Sequence, residues 1–135
     1  MNARGPRLVL AVGAAVGLAI AVYLTVVHYQ GGAPVCASNG CEVVQRSRYS
    51  ELFSLPVALL GALVFATLLA SALLRSSVVI AGAAALALAG VVFAVYLVCV
   101  QAVVLDAVCA WCIASDTLSA VVAVAAWLRF RHALA

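Results

Sequence analysis

The chain of 135 residues is 69% hydrophobic and 8% charged, and its mean hydropathy is +1.30. Soluble domains carry about a quarter charged residues, so this composition excludes a water-exposed globular domain and predicts a protein of the lipid bilayer. The formal net charge is +3, and every Lys or Arg position is an arginine. No basic face interleaved with aromatic residues is present, so we predict no nucleic-acid partner.

Four apolar runs are long enough to cross a membrane as helices, because about 20 residues at roughly 1.5 Å each cross the ~30 Å hydrocarbon core. The runs cover residues 8–27, 56–74, 78–105 and 112–128. The first is longer than the apolar part of a signal peptide, so we expect it to be an uncleaved span. Ser54 and Pro56 are predicted to cap and begin the second helix. The sequence therefore predicts an all-α integral membrane protein, a single four-helix domain over residues 1–135 with a long loop at 28–55.

Arginine placement predicts how this bundle is oriented. Five arginines lie on the side that holds both termini and the short 75–77 connection: Arg4, Arg7, Arg75, Arg129 and Arg131. The opposite side holds two arginines, which are offset by two glutamates. The positive-inside rule therefore predicts cytoplasmic termini in the cell inner (plasma) membrane. Loop 28–55 and turn 106–111 then face an oxidising extracytoplasmic space.

Four of the five cysteines fall on that outer side, in two close pairs. Cys109 and Cys112 form a C-x-x-C at the start of the fourth predicted helix, where the helix dipole and unpaired N–H groups stabilise a thiolate. Because a thiolate is the species that attacks disulfides, this pair is predicted to be redox-active rather than an inert disulfide.

The second pair, Cys36 and Cys41, lies in the outer loop within PVCASNGCE, where glycine and asparagine permit tight turns. A disulfide that closes so short a loop restricts the unfolded chain little, so stapling is a weak reason to have it. A mobile, exposed pair suits a shuttle between a soluble partner and the pair in the membrane.

A four-cysteine zinc site is the alternative for these cysteines, because zinc sites accept such spacings. We nonetheless predict no metal, since a closed zinc site would leave the four-helix bundle unexplained. Cys99, in the third run, has no partner in the sequence and is predicted to be a small buried hydrophobe. His28 and His132 are expected to be interfacial residues rather than ligands.

Two segments together resemble the bacterial homologues of vitamin K epoxide reductase, namely CASNGCEVVQRSRYSELFSLPVALLGAL and VYLVCVQAVVLDAVCAWCIAS. The likeness covers most of the chain: the loop pair, the Ser-Arg-Tyr segment, the Phe-x-Leu-Pro helix start and the C-x-W-C. It implies a four-helix bundle around a quinone pocket at the outer face, with ubiquinone or menaquinone as electron acceptor. It also implies a DsbA-like, thioredoxin-fold protein as the electron donor, which we expect to be a separate chain.

The resemblance implies an order of electron transfer as well. Cys36 would receive electrons from the partner, and Cys41 would pass them to Cys109. Cys112 would then face the quinone ring. Ser47, six residues after Cys41, matches a serine that the family places near the active site.

Three further residues are predicted at the quinone site. Trp111 belongs to the C-x-W-C, and Phe53 belongs to the Phe-x-Leu-Pro segment, in which Ser54 stands where a glycine is common. Asp116 lies one turn after Cys112, and a carboxylate at a bilayer centre costs ~2.5–3.5 kcal/mol on insertion scales. We hypothesise that Asp116 hydrogen-bonds a quinone oxygen or relays its proton; the alternative is a water-facing residue at the pocket mouth.

Two other functions stay open at this point. A DsbB-type oxidase shares four helices and two cysteine pairs, but there the C-x-x-C belongs to the first outer loop, and here the order is reversed. A four-helix transporter or scaffold with structural disulfides would need polar residues along several spans, and few are present. The sequence favours a membrane oxidoreductase that reoxidises an extracytoplasmic thiol partner, reduces a quinone and so supports disulfide bond formation.

Overall fold

The computed structural model describes residues 4–32, 35 and 40–134, with Gln45 described by its backbone alone. The elements are α1 (Arg4–Tyr29), α2 (Gly40–Arg46), a 3₁₀ helix (Arg48–Ser50), the two-residue strands β1 (Glu51–Leu52) and β2 (Leu55–Pro56), α3 (Val57–Leu73), α4 (Ser77–Cys99), a π-helical turn (Val100–Val104) and α5 (Ala110–Leu134). Helices dominate, so the predicted all-α class is confirmed, apart from one small hairpin.

The long helices correspond to the four apolar runs. Within the described residues, three helices are long and apolar enough to cross a membrane: α1, α4 with its π-helical turn, and α5. The apolar helix α3 has 17 residues and is shorter than these three. At roughly 1.5 Å per residue, α3 extends about 26 Å, slightly less than the ~30 Å hydrocarbon core. The count of four spans therefore stays a prediction.

Small residues let the helices pack closely. α1 and α4 each contact both α3 and α5, so these four helices form a ring around a core rich in alanine. A Cβ added at Gly13 would come within 2.9 Å of Val122 on α5, and one at Gly17 within 2.5 Å of Phe65 on α3. The two glycines of GAAVG thus let α1 approach α3 and α5 closely, as expected where lipid gives no hydrophobic drive for helix association.

Substituting Gly17 with alanine is expected to destabilise the bundle by about 1–3 kcal/mol, because the new methyl group overlaps the Phe65 ring. Thermal unfolding in detergent measures the effect. Gly82→Ala is the matched control, since none of the residues that the structure describes lies within 4 Å of its added Cβ. It should leave stability unchanged or raise it. Equal losses in both variants would contradict the packing described for α1.

Two arginines satisfy the last carbonyls of α3. Arg7 Nε donates to Ala72 O at 2.6 Å, and Arg129 donates to Ser71 O at 2.7 Å and to Leu74 O. The final turn of a helix leaves its carbonyls without intrahelical partners, and cationic donors stabilise them. The start of α1, the end of α3 and the end of α5 therefore meet at one end of the bundle, which we call the arginine end.

The opposite end, which we call the cysteine end, carries a hairpin between the 3₁₀ helix and α3. β1 and β2 pair antiparallel through Glu51↔Pro56 and Leu52↔Leu55. Phe53 and Ser54 form the turn with φ of 53° and 67°, the left-handed backbone that two-residue hairpins require. His28 Nε2 lies 3.0 Å from the Glu51 carboxylate and ties the end of α1 to this hairpin.

The prediction that Ser54 caps the second helix is wrong. Ser54 occupies the hairpin turn, and Pro56 holds the N-cap position of α3 without a side-chain cap hydrogen bond. The sequence pattern gave the wrong prediction because a serine before an apolar run is compatible with a turn as well as with a helix cap.

Ser54→Gly is expected to stabilise the protein by roughly 0.5–1 kcal/mol, because glycine adopts a positive φ without the steric cost of a Cβ. Thermal unfolding is the measurement. At Ser76, φ is −64°, so Ser76→Gly should bring no gain. A loss of stability in Ser54→Gly would show that the positive φ of Ser54 does not destabilise the protein.

Candidate functional site

A cluster at the cysteine end joins the loop segment to the start of α5. Cys41 and Cys109 are both 0% exposed and share this cluster with Val44. Cys112 and Trp111 pack against it. α2 supplies Cys41, which is disulfide-bonded, and the chain entering α5 supplies Cys109. The structure thus brings together three of the four predicted redox cysteines; Cys36 lies outside the described residues.

Gly40 allows the two segments to approach each other this closely. A Cβ built on Gly40 would lie 2.1 Å from the carbonyl oxygen of Val108, far inside contact distance. Gly40 precedes Cys41, and Val108 precedes Cys109. The backbones beside the two buried cysteines therefore touch, and only glycine fits at this position.

The C-x-x-C opens α5 as the sequence predicts. α5 begins at Ala110, and the carbonyl of Cys109 accepts the N–H of Ile113 at 2.9 Å. The Sγ of Cys109 accepts the N–H of Cys112 at 3.2 Å. A sulfur at the first turn of a 25-residue helix lies where the helix dipole and a backbone N–H stabilise a thiolate.

Gln101 holds the backbone of Cys109 from the preceding helix. Its Oε1 accepts the N–H of Cys109 at 2.9 Å, and its side chain is buried. Gln101 is not among the site residues predicted from the sequence. Its one signal was a polar amide in an otherwise apolar span, and such residues in membrane helices default to a functional role.

An aromatic pair clamps the outer loop next to Cys36. Trp111 Nε1 donates to the carbonyl of Val35 at 2.6 Å, and the N–H of Val35 donates to the Tyr23 hydroxyl at 3.0 Å. The rings of Tyr23 and Trp111 lie 5.0 Å apart between centroids. Both main-chain groups of Val35 are thereby fixed to the bundle. Trp111 has this clamping contact and does not line the cavity described below.

Trp111→Phe keeps an aromatic ring and removes the N–H donor, so the loop at Val35 should loosen. One lost hydrogen bond of about 0.5–1.5 kcal/mol corresponds to a roughly 2–13-fold shift toward the open loop. We expect dithiothreitol to reduce the Cys41 disulfide faster by that factor. Acid-quenched maleimide labelling measures the rate. Trp127→Phe on the exposed surface of α5 is the matched control, and equal rates in both variants would refute the clamp.

A largely apolar cavity of about 320 Å³ opens beside the cysteine cluster. All four long helices contribute to its wall, together with the hairpin residue Leu52. Cys112 and Asp116, one helical turn apart on α5, lie on this wall with Gln101. The cavity thus reaches one sulfur of the C-x-x-C, the amide of Gln101 and the carboxyl group of Asp116 within a largely apolar surround.

Asp116 is the unusual group in this cavity. Its Oδ2 is buried and has no hydrogen-bond partner among the described residues. Burying an oxygen without a partner costs about 1–3 kcal/mol, so the position is unfavourable for the protein alone. Asp116 therefore lies on the cavity wall with one buried oxygen that no described residue engages, and its role at a quinone site stays a prediction.

The other predicted site residues lie around this centre rather than in it. Phe53 is 91% exposed at the hairpin tip and does not line the cavity. Ser47 follows α2 and donates its hydroxyl to Val44 O at 2.8 Å, which fixes the end of the helix carrying Cys41. Their roles at a quinone site and in catalysis stay predictions. Cys99 is exposed on α4, so the prediction that it is buried is wrong.

The apolar helices, the paired cysteines and the adjoining cavity define a class, a helical membrane protein with a cysteine centre at one end of its bundle. The chain matches the Vitamin K epoxide reductase family over residues 8–127. It therefore belongs to that family, which confirms the resemblance drawn from the sequence and makes the protein a membrane oxidoreductase. No curated protein matches the chain.

Proposed function

We propose that this protein is a thiol–disulfide oxidoreductase that reoxidises a thioredoxin-fold, DsbA-like partner and passes the electrons to a membrane quinone. The observation that carries the proposal is the burial of Cys41 and Cys109 in one cluster while Cys112 lies on the cavity wall. A loop cysteine clustered with the C-x-x-C, beside an apolar cavity, suits a relay between a soluble dithiol and a lipid-soluble acceptor.

The first exchange is between the partner and the loop pair. A thiolate of the partner attacks Cys36 of a Cys36–Cys41 disulfide, and the second partner thiol resolves the mixed disulfide. The partner leaves with a new disulfide, and the loop pair holds two electrons as thiols.

The second exchange is between the two pairs. The Cys41 thiolate attacks Cys109 of a Cys109–Cys112 disulfide and releases the Cys112 thiolate at the cavity wall. Cys36 then attacks Cys41, which reforms the loop disulfide and leaves Cys109 and Cys112 reduced. These two residues return to a disulfide by giving two electrons and two protons to a quinone, which leaves as the quinol.

The cavity fits a quinone ring as the electron-accepting substrate. Its wall is mainly apolar, as ligand pockets usually are, with a few polar side chains that include Gln101 and Asp116. The Cys112 sulfur on the same wall supplies contact with the redox pair, and Asp116 offers an oxygen to a carbonyl or its proton. Ubiquinone and menaquinone both have the carbonyl chemistry that these residues would recognise.

The proposal includes the membrane arrangement. With α3 counted as a span, four helices cross the inner membrane, and the arginine end lies in the cytoplasm by the positive-inside rule. The cysteine end then faces the extracytoplasmic space, where disulfides form and persist.

Purified protein with a reduced DsbA-like protein and a short-chain ubiquinone tests the function. We expect the quinone absorbance to fall with one quinone reduced per partner disulfide formed. Cys109→Ala and Cys112→Ala should abolish this reaction, whereas Cys99→Ala, at the exposed cysteine outside the cluster, should leave it unchanged. A folded wild-type protein that transfers no electrons would rule the proposal out.

A further inference from the structure

Gln101 lies where the redox centre meets the cavity. We propose that Gln101 couples the two sites: its Oε1 positions Cys109, and its NH₂ group donates a hydrogen bond to a carbonyl oxygen of the ligand in the cavity. This inference rests on the proposed function, because it names the group that recognises the acceptor. In this proposal the Gln101 side chain links the binding of the acceptor to the position of Cys109 during sulfur exchange.

The backbone around Gln101 is built to present its side chain to Cys109. Residues Val100–Val104 form a π-helical turn, and such turns are frequent at functional sites. The carbonyl of Gln101 accepts the N–H of Ala107 at 3.1 Å, and Asp106 between them adopts a positive φ of 47°. The chain thus folds back over Gln101, and the Oε1 hydrogen bond then fixes Cys109 itself.

The hydrogen bond also decides which way the amide points. A backbone N–H can only donate, so the atom facing Cys109 is the acceptor Oε1, and the NH₂ group is directed elsewhere. Gln101 is 3% exposed, and it forms part of the cavity wall. Its two amide hydrogens are therefore directed donors in a mainly apolar space.

Two of the other hydroxyl groups on the cavity wall donate to the backbone. Ser50 donates to the carbonyl of Ser47 at 2.8 Å, and Ser119 donates to the carbonyl of Ser115 at 3.2 Å. A quinone offers only acceptor oxygens, and its recognition requires donors. The amide of Gln101 supplies one from the π-helical turn, and Asp116 lines the same cavity from α5.

Because the Gln101 side chain contacts both sites, the free energy of ligand binding depends on how Cys109 is held. If the ligand orders the amide, it also orders the backbone of Cys109, and a correctly held Cys109 in turn favours the ligand. We expect acceptor binding to speed the transfer from Cys41 to Cys109 by severalfold, since the amide no longer samples other rotamers.

Two substitutions separate the acceptor and donor roles. Gln101→Met is close in size and loses both roles. Gln101→Glu keeps an oxygen for Cys109 and replaces the NH₂ donor. Gln30→Met is the matched control, because Gln30 is exposed and lies outside the cavity.

Three quantities are measured for each variant. The first is the binding of short-chain ubiquinone, followed by the quenching of tryptophan fluorescence, and the second is the KM for this quinone. The third is the single-turnover rate of electron transfer from Cys41 to Cys109 without quinone. Gln101→Met should weaken binding about tenfold, as expected for one lost hydrogen bond, and should also slow the transfer. Gln101→Glu should weaken binding similarly, with transfer within about threefold of wild type. Gln30→Met should match wild type in all three.

The outcomes distinguish this inference from the proposed function. If wild-type protein reduces the quinone and both Gln101 variants bind it as tightly as wild type does, the donor role is refuted and the relay stands. If Gln101→Met transfers electrons between the pairs at the wild-type rate, the positioning role is refuted. A wild-type protein without quinone reduction would instead refute the function itself.

Discussion

Gly40→Ala is expected to slow electron transfer from Cys41 to Cys109 by roughly a hundredfold. The new Cβ would lie 2.1 Å from the carbonyl oxygen of Val108, so the two backbones would have to separate by about 1 Å or more. Sulfur exchange requires the attacking thiolate in line with the disulfide, and a misplacement of ~1 Å costs on the order of 10²-fold in rate. A single methyl group therefore breaks the relay at its centre.

Single-turnover experiments isolate this step. The loop pair is loaded with electrons by a reduced DsbA-like protein, the reaction is quenched with acid, and maleimide labelling counts the reduced cysteines over time. Loading should continue at the wild-type rate, while the appearance of reduced Cys109 and Cys112 should be delayed. Gly32→Ala, in the same loop and with no atom of the described residues within 4 Å of its added Cβ, is the matched control and should transfer normally.

A second measurement guards against a general loss of fold. When the Cys109–Cys112 pair is reduced in advance with dithiothreitol, its reoxidation by short-chain ubiquinone should remain close to wild type in Gly40→Ala. Residue 40 does not line the cavity, which α2 reaches one turn further along, at Val44. Transfer between the pairs at the wild-type rate would show that Cys41 does not need the contact at Gly40 to reach Cys109.

The helices could be predicted from the sequence because a bilayer allows few solutions. Backbone groups in hydrocarbon must be paired within a helix, so apolar runs of sufficient length become helices. The predicted run 112–128 lies within α5, but α5 continues to Leu134. It passes through Arg129, whose guanidinium finds its partners on α3, and no local pattern reveals that contact.

The site could be predicted only in part, for a similar reason. The C-x-x-C and its helix start are local, and the sequence places them correctly. The hairpin could not be predicted from the sequence, because Phe53 and Ser54 adopt a positive φ that neither residue type favours. The contacts of Gly40 with Val108 and of Trp111 with Val35 join segments far apart in the chain. Such pairs follow from tertiary packing, which single-sequence patterns do not contain.

Asp116→Leu is expected to make the protein more stable and less active. Removing a buried oxygen that has no hydrogen-bond partner among the described residues should raise the free energy of unfolding by about 1–3 kcal/mol. The same change removes the polar group next to Cys112 on the cavity wall, so we expect quinone reduction to fall at least about tenfold. A gain in stability with a loss of activity is typical of a functional residue placed at a structural cost.

Asp116→Asn separates the two roles open to this carboxyl group. An amide keeps hydrogen-bonding groups but cannot release a proton at ordinary pH. If Asp116 only binds the quinone, Asp116→Asn should retain most of the activity; if it relays a proton, both variants should be slow. Asp106→Asn is the control, since Asp106 is exposed in the turn before Cys109 and asparagine tolerates its positive φ.

Transfer between the cysteine pairs gives the final discrimination. Asp116 lies one turn beyond Cys112 and is not part of the Cys41–Cys109 cluster, so Asp116→Leu should load both pairs at the wild-type rate and stall only at the quinone. The reduced Cys109–Cys112 pair would then accumulate, which acid-quenched labelling detects directly. If Asp116→Leu reduces quinone as fast as wild type at every pH tested, the carboxyl group of Asp116 has no role in electron transfer.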